Sequence, residues 1–339
     1  MKQYTLKEIA SITGGKIVGD ETLIINGVSA PDSYVQGTIC PLWEKKYEKY
    51  VMPEMVLFTV EGQVAECASG IVFDKNPKEE LIKLLNLFDE SPKEDAMQND
   101  LIAPDAKISE TATVCVGAII KSGAVISDGA IIKEYAVIGE NVFIGKGTIV
   151  ESHVVIYHGT IIEDECIIRS HAVIGCPGFG FMPDKECGIV RVPQIGIAHI
   201  KRGVEVGAYS SIDRATFGET LIGDFTKIDS HVKIGHNCRI GTFCVFCGRV
   251  GLAGSTIVGN GVTFAAGSGA GNHVTIGDGV MVGGLSGVST NIPAGAVVSG
   301  FPAQDHKKEL RYQASLRRVP DLIKKIKELE IKLEKLEGN

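Results

Sequence analysis

IIKSGAVISDGAIIKEYAVIGENVFIGKGTIV, residues 119–150, carries an aliphatic residue at every sixth position: Ile120, Ile126, Ile132, Ile138, Ile144 and Val150. A period of six fits neither the 3.6-residue turn of an amphipathic helix nor the two-residue alternation of a half-buried strand. Followed outward, the same phase reaches back to Ile108 and Val114 and forward through Ile156, Ile162, Ile168 and Ile174. It resumes at Ile200, Val206 and Ile212, shifts by four residues, and then runs from Ile222 to Val288. Glycine often follows the apolar position, as at Gly139, Gly145, Gly207, Gly223, Gly235 and Gly241. This is a hexapeptide-repeat solenoid. Each short strand turns one aliphatic side chain into a narrow interior, and the small residue beside it permits a tight corner. Three hexapeptides close one triangular coil, and coils pair as parallel strands ~4.8 Å apart, so about ten coils make a prism roughly 50 Å long. The breaks in phase, around 175–199 and 213–221, are expected to be loops leaving the prism, where functional residues tend to sit. The first contains Gly178-Phe179-Gly180-Phe181.

The flanks do not share the period. Residues 1–99 open with the helical spacing of Leu6-Lys7-Glu8-Ile9-Ala10, followed by Gly14-Gly15 and the strand-like Lys16-Ile17-Val18. A second helical stretch runs from Lys78 to Phe88, ahead of a polar linker, Ser91 to Asp100. These residues read as a small α/β domain, leaving 100–303 to the prism. From 304 to 339 the chain reads as a C-terminal helical hairpin. There Leu322, Ile326, Leu329, Leu333 and Leu336 follow the 4-3-4-3 stripe of a coiled-coil or bundle helix. Asp305–Asn339 holds ten Lys/Arg and seven Asp/Glu, a local +3; the whole chain carries −7, so the remainder carries −10.

Composition agrees with a turn-rich globular protein. Glycine makes up 41 of 339 residues, about 12%, against a usual ~7%. The acidic balance argues against nucleic acid as a partner. Neither a signal-peptide run at position 1 nor a stretch approaching the ~18 apolar residues of a membrane span is present, so the chain reads as cytosolic. The nine cysteines (40, 67, 115, 166, 176, 187, 238, 244 and 247) are scattered through apolar runs and read as reduced core thiols. Cys244-Val-Phe-Cys247 is a weak metal or redox candidate, since no second such pair accompanies it.

The segments Thr5-Leu6-Lys7-Glu8-Ile9-Ala10, Gly14-Gly15-Lys16-Ile17-Val18-Gly19-Asp20, Ile212-Asp213-Arg214-Ala215, Thr226-Lys227-Ile228-Asp229, Ile234-Gly235-His236-Asn237 and Ser299-Gly300-Phe301-Pro302-Ala303 occur in that order. In these segments and in their order, over nearly its whole length, the chain resembles the UDP-3-O-acylglucosamine N-acyltransferase family of lipid A biosynthesis. The resemblance implies a mainly β protein, a left-handed parallel β-helix with a small N-terminal α/β domain and a C-terminal helical extension. It further implies a homotrimer with active sites between subunits and no cofactor. A 3-hydroxyacyl chain would pass from acyl carrier protein to the 2-amine of the UDP-sugar, in the cytoplasm or peripherally at the inner membrane.

The residues can be held to that chemistry. Forming an amide from a thioester and an amine needs a base, and a histidine with pKa near 6.5 suits neutral pH. The resemblance assigns this role to His236, two positions past the inward Ile234 and near a corner; it assigns an oxyanion-holding N–H to Gly254. Asp229 and Asn237 match sugar-contacting or base-orienting positions, and His273 matches a further site histidine. Corner glycines, turn-capping Asp and Asn and a solvated edge histidine are the non-functional accounts of the same residues. For the nucleotide, the family's Phe-Leu-x-Asn-Pro-Lys-Tyr run reads Pro41-Leu42-Trp43-Glu44-Lys45-Lys46-Tyr47 here. Lys46 and Tyr47 are kept, the Phe and Asn are not, and Trp43 can offer a stacking face from a neighbouring position. Lys307, Lys308, Arg311, Arg317 and Arg318 form a candidate dock for the acidic carrier protein.

Three other readings stand beside this one. The first is another nucleotide-sugar N- or O-acyltransferase on the same scaffold, with an acyl-CoA or acetyl-CoA donor. The second is a zinc enzyme using His231-x4-His236, whose register disagrees with the known pattern. The third is a scaffolding trimer.

Overall fold

The six-residue period produces the expected prism. The computed structural model describes residues 2–43, 45–62, 69–75, 77–92, 101–184, 188–300 and 306–337. Short parallel strands assemble three faces. The first runs from Lys107–Ile108 to Thr275–Ile276, the second from Thr113–Val114 to Val297–Val298, and the third from Ile119–Ile120 to Gly287–Val288. Among the described residues they hold nine, ten and nine strands. Pairing keeps the repeat in register, so Ile126 faces Ile144 on one face and Ile138 faces Ile156 on another. The inward positions, from Ile120 and Ile144 to Phe246 and Phe264, are fully buried. A second set of small residues two positions earlier fills the interior at the corners. Ala118, Ala136, Ala172 and the thiols Cys166, Cys238 and Cys244 belong to it. These cysteines are free, and burial pushes the Cys166 and Cys238 thiols up to about 11. Cys67 and Cys187 lie outside the described residues.

The glycines after the inward residues have a different task from opening the corner. A Cβ on Gly145 would stand 2.4 Å from the backbone of Glu163, and one on Gly207 would stand 2.3 Å from that of Asp229. They permit close approach of the next coil. The left-handed turn conformation falls elsewhere, often on large residues. At the corner between the second and third faces Tyr135, His153, His171, Tyr209 and His231 all have φ near +60°. Their rings stack down the edge with centroids 4.8–5.4 Å apart. Stacking offsets the backbone cost of that conformation.

Both breaks in phase leave from the corner between the third and first faces. Pairing runs slightly further than the sequence pattern indicates. The first excursion spans 177–196, between Val173–Cys176 and Ile197–Ile200, and contains an antiparallel hairpin of Phe181–Asp184 with Gly188–Arg191. The second spans 214–218, between Ser211–Asp213 and Glu219–Ile222.

The N-terminal residues build a four-stranded sheet in the order Lys16–Val18, Ser69–Phe73, Val56–Val60, Ile39–Leu42, with only the first pair antiparallel. Helix Leu6–Thr13 begins with a capping box in which Thr5 and Glu8 satisfy each other's backbone N–H. It packs with helix Lys78–Phe88 over a core that includes Leu6, Ile9, Phe58, Ile71 and Leu84. Val192, Ile195 and Phe217, from the two excursions, lie against this core. The excursions thus tie the N-terminal layer to the prism, and Met1–Ser299 forms one compact unit.

Gly300–Asn339 forms a second unit. The expected hairpin is instead one helix, His306–Glu337, with Pro320 inside it. A helix–helix turn needs residues that break the helix. Between 306 and 337 there is no glycine, and the one proline costs a hydrogen bond without reversing the chain. The apolar stripe remains exposed, with Leu329 at 57% and Leu336 at 76%. No described helix is long and apolar enough to cross a membrane.

Candidate active site

Residues eighteen apart stack on one another at the corner from which both excursions depart. His236-Asn237, Gly254-Ser255 and Asn272-His273 occupy it on three successive coils. The His236 ring lies between two glycines. A Cβ on Gly178, from the first excursion, would stand 2.6 Å from His236 Cβ, and one on Gly254 would stand 2.7 Å from its Nε2. Any larger residue at Gly254 would push the imidazole away. The Gly254 N–H makes no hydrogen bond among the described residues, while its carbonyl accepts the His273 N–H at 3.2 Å.

Asn237 decides how the imidazole presents itself. Its side-chain amide is oriented by two backbone groups of the second excursion: Oδ1 accepts the Thr216 N–H at 2.9 Å, and Nδ2 donates to the Phe217 carbonyl at 3.1 Å. The Asn237 N–H donates to Thr220 Oγ1 at 2.8 Å. With the amide held this way, Oδ1 can only accept from His236 Nδ1, 2.9 Å away. The proton therefore sits on Nδ1, assigned from the network, and Nε2 of the neutral ring keeps its lone pair.

His236, Asn237 and His273 share a cavity of about 250 Å³ with Trp43 and Tyr47 of the N-terminal layer. Five of the sequence-derived site residues thus converge, and Gly254 lies against the His236 ring. Asp229 lies apart, at the corner between the second and third faces, where its Oδ1 accepts the Ser230 N–H at 2.7 Å. It lines a separate groove with Arg169, Glu205 and Lys227. Lys46 falls in the 3-10 turn Lys45–Tyr50, but its side chain lies outside the described residues, as do those of Lys307 and Lys308. Arg311, Arg317 and Arg318 are exposed on the C-terminal helix. His231 stacks on Tyr209 at another corner from His236. No group of three or more His, Cys, Asp or Glu among the described residues is placed to hold a metal ion.

The cavity also holds residues that the motifs did not mark. Arg239 Nη1 lies 4.0 Å from Asp32 Oδ2, joining prism to N-terminal layer, and Glu219 and Phe217 line the wall. Glu219 accepts from His199 Nδ1 at 2.8 Å, and Glu163 lies 3.0 Å from Nε2. The hydrogen bond to Glu219, opposed by burial, raises the His199 pKa. Arg214, only 1% exposed, donates Nε to the Gly196 carbonyl at 2.7 Å and Nη2 to the His158 carbonyl at 2.8 Å, and meets the His158 ring through Nη1. Burial, reinforced by this guanidinium, pushes His158 down to about 4. The available signals are the Ile212-Asp213-Arg214-Ala215 segment and the second phase break, 213–221, which holds Thr216, Phe217 and Glu219.

Residues 141–176 match the bacterial transferase hexapeptide (six repeats) family model. A UDP-3-O-acylglucosamine N-acyltransferase from Syntrophus aciditrophicus is 47% identical over 98% of this chain and 93% of its own. One from Syntrophotalea carbinolica is 45% identical over 98% of each. The solved structure of an Arabidopsis UDP-N-acetylglucosamine acyltransferase aligns over 59% of this chain and 71% of its own, at 25% identity and a TM-score of 0.49. Identity this high over the N-terminal layer, the prism and the tail together leaves one assignment: the chain belongs to the UDP-3-O-acylglucosamine N-acyltransferase family.

Proposed function

We propose that this enzyme transfers a 3-hydroxyacyl chain from acyl carrier protein to the 2-amine of UDP-3-O-acylglucosamine, with His236 as general base. The observation that carries the reading is the locked imidazole: Asn237 holds the Nδ1 proton, and Nε2 lies beside Gly254 on the wall of a cavity shared with Trp43 and Tyr47. The amine attacks the thioester carbonyl while Nε2 takes its proton. The oxyanion that forms is held by the Gly254 N–H. Collapse breaks the carbon–sulfur bond, and the imidazolium returns the proton to the departing thiolate, so the base is regenerated. His273, two coils along, contacts donor or acceptor. Trp43, Lys46 and Tyr47 receive the nucleotide, which gives residues 1–99 an acceptor-binding role beside the acyl-transfer prism of 100–303.

The enzyme works as a homotrimer with grooves shared between subunits. Two features support this: Asp229, on a different corner from His236, can serve a neighbour's site, and the exposed stripe on the C-terminal helix calls for partner helices. The reaction is cytoplasmic, or peripheral at the inner membrane. The basic residues of 304–339 receive the acidic carrier protein. Charge reversal at Arg317 and Arg318 to Glu is expected to raise the KM for carrier-bound donor and flatten its salt dependence, with the KM for the sugar unchanged. Unaltered donor kinetics at low salt would assign both residues to helix packing or solubility.

The reading is tested by incubating the protein with several UDP-sugars and with carrier protein loaded with hydroxyacyl chains of different length, then weighing the products. Amide formation on UDP-3-O-acylglucosamine is expected. Turnover of acyl-CoA with carrier-bound donors idle, or of a different sugar alone, would overturn it.

A further inference from the structure

The two excursions are joined to each other as well as to the corner that carries His236. Ile195 N–H donates to the Thr216 carbonyl at 2.9 Å and Gly196 N–H to that of Ala215 at 3.0 Å. Two side-chain contacts add to this seam: Arg214 Nε donates to the Gly196 carbonyl at 2.7 Å, and Thr216 Oγ1 donates to Gln194 Oε1 at 3.2 Å. Gln194 is 6% exposed, and its Nε2 donates to the Val192 carbonyl at 3.2 Å, which fixes which end of the amide accepts. The backbone N–H of the same Thr216 reaches Asn237 Oδ1, the oxygen that receives the His236 Nδ1 proton. A chain of hydrogen bonds thus runs from the first excursion through the second to the imidazole. It reads Gln194, Thr216, Asn237, His236.

We infer that Gln194 and Thr216 are positioning residues for acyl transfer, holding His236 in its reactive tautomer and orientation through Asn237. The physical reason lies in where the chain breaks its repeat. On an uninterrupted corner the next coil fixes the turn; at residues 214–218 the repeat is absent, and the loop is held instead through its seam with the first excursion. The Gln194 amide pins the Thr216 hydroxyl and with it the neighbouring N–H, so the acceptor geometry at Asn237 is set before substrate arrives. Neither residue is asked to touch a reacting atom. The inference rests on the reading of His236 as the base.

Thr216→Val keeps the shape and the backbone N–H but removes the hydroxyl; Thr216→Ser keeps it. Thr216→Val and Gln194→Ala are each expected to lower kcat about fivefold, the worth of one hydrogen bond, with the acceptor KM unchanged, and Thr216→Ser to retain wild-type turnover. The double variant should be no slower than either single one. In an Asn237→Ala background Thr216→Val should have no further effect. Losses that add in the double variant, that persist undiminished without Asn237, or that appear as a raised KM would overturn the inference, as would unchanged kcat in both single variants. Thermal unfolding identifies any variant that has lost its fold, and Thr216→Ser and Thr216→Val then carry the test. His236→Ala separates this from the parent reading: full turnover there removes the base itself, whereas a dead His236→Ala beside an indifferent Thr216→Val removes only the brace.

Discussion

Two corners of the same prism use opposite solutions. Between the second and third faces the repeat is unbroken, and five rings from Tyr135 to His231 stack on one another, coil over coil, with their space already filled. Between the third and first faces the repeat is broken twice, and among the described residues the ring of His236 stacks on no other ring; it lies against Gly178 and Gly254 and borders a cavity. The first corner satisfies each side chain with its own repeat. The second leaves one side chain to be satisfied by distant segments, and so leaves an atom, Nε2, available for chemistry. Regularity builds the scaffold, and the site arises where regularity stops.

That contrast can be broken from either side. Ile144→Ala, in the repeat and fully buried, should cost roughly 2–5 kcal/mol of stability in chemical denaturation, with turnover per folded molecule unchanged. A loss of turnover without loss of stability would mean that the interior transmits to the site. His236→Ala inverts the pattern: about 10²-fold or more in kcat, with the transition midpoint preserved, because the side chain faces the cavity and not the interior. Normal turnover in a stable His236→Ala variant would remove this residue from the mechanism. Trp43→Ala and Tyr47→Ala sit further from the reacting atoms and should raise the acceptor KM about tenfold, equal to about 1.4 kcal/mol, at nearly constant kcat. If both leave that KM unchanged, the nucleotide is held elsewhere.

The smallest effect concerns pH. His158 titrates in the fold at about 4, below its ordinary 6.5, because burial and then the Arg214 guanidinium disfavour its charged form. Between those two values the unfolded chain binds a proton that the folded chain does not, so stability falls as pH falls through that window and is recovered above it. Replacing His158 with Gln should make the midpoint of thermal unfolding less steep in pH between about 6.5 and 4. An unchanged slope would mean that neither burial nor Arg214 holds the proton affinity of this ring down.

Much of the fold is legible in the sequence, because a hexapeptide's neighbours are fixed by its own period. Ile144 needs no knowledge of distant chain to be placed inward. The same logic put His236 beside a corner. What the period could not say is what comes back to that corner. Arg214, on the second excursion, reaches His158 across 56 residues, and Asp32, from the N-terminal layer, reaches Arg239 on the prism. Nothing local records that return. The expected C-terminal hairpin fails for a related reason: 4-3-4-3 spacing says that a helix wants a partner but not whether the partner lies on the same chain. The glycines were a partial reading, since a small residue was required at Gly145 and Gly207, but for the approach of the next coil and not for the turn itself.

His236, Gly254 and the pair Asn272-His273 lie on consecutive coils, and a coil advances by a fixed step of ~4.8 Å. The corner is therefore graduated like a ruler. The backbone positions that carry His236 and His273 are about two steps apart, roughly 10 Å, an interval that the strand pairing fixes. Reach along this edge is altered in whole coils of eighteen residues, each inserted or removed without disturbing the packing of its neighbours. The backbone positions from which side chains can meet a ligand along this edge are therefore spaced in fixed increments.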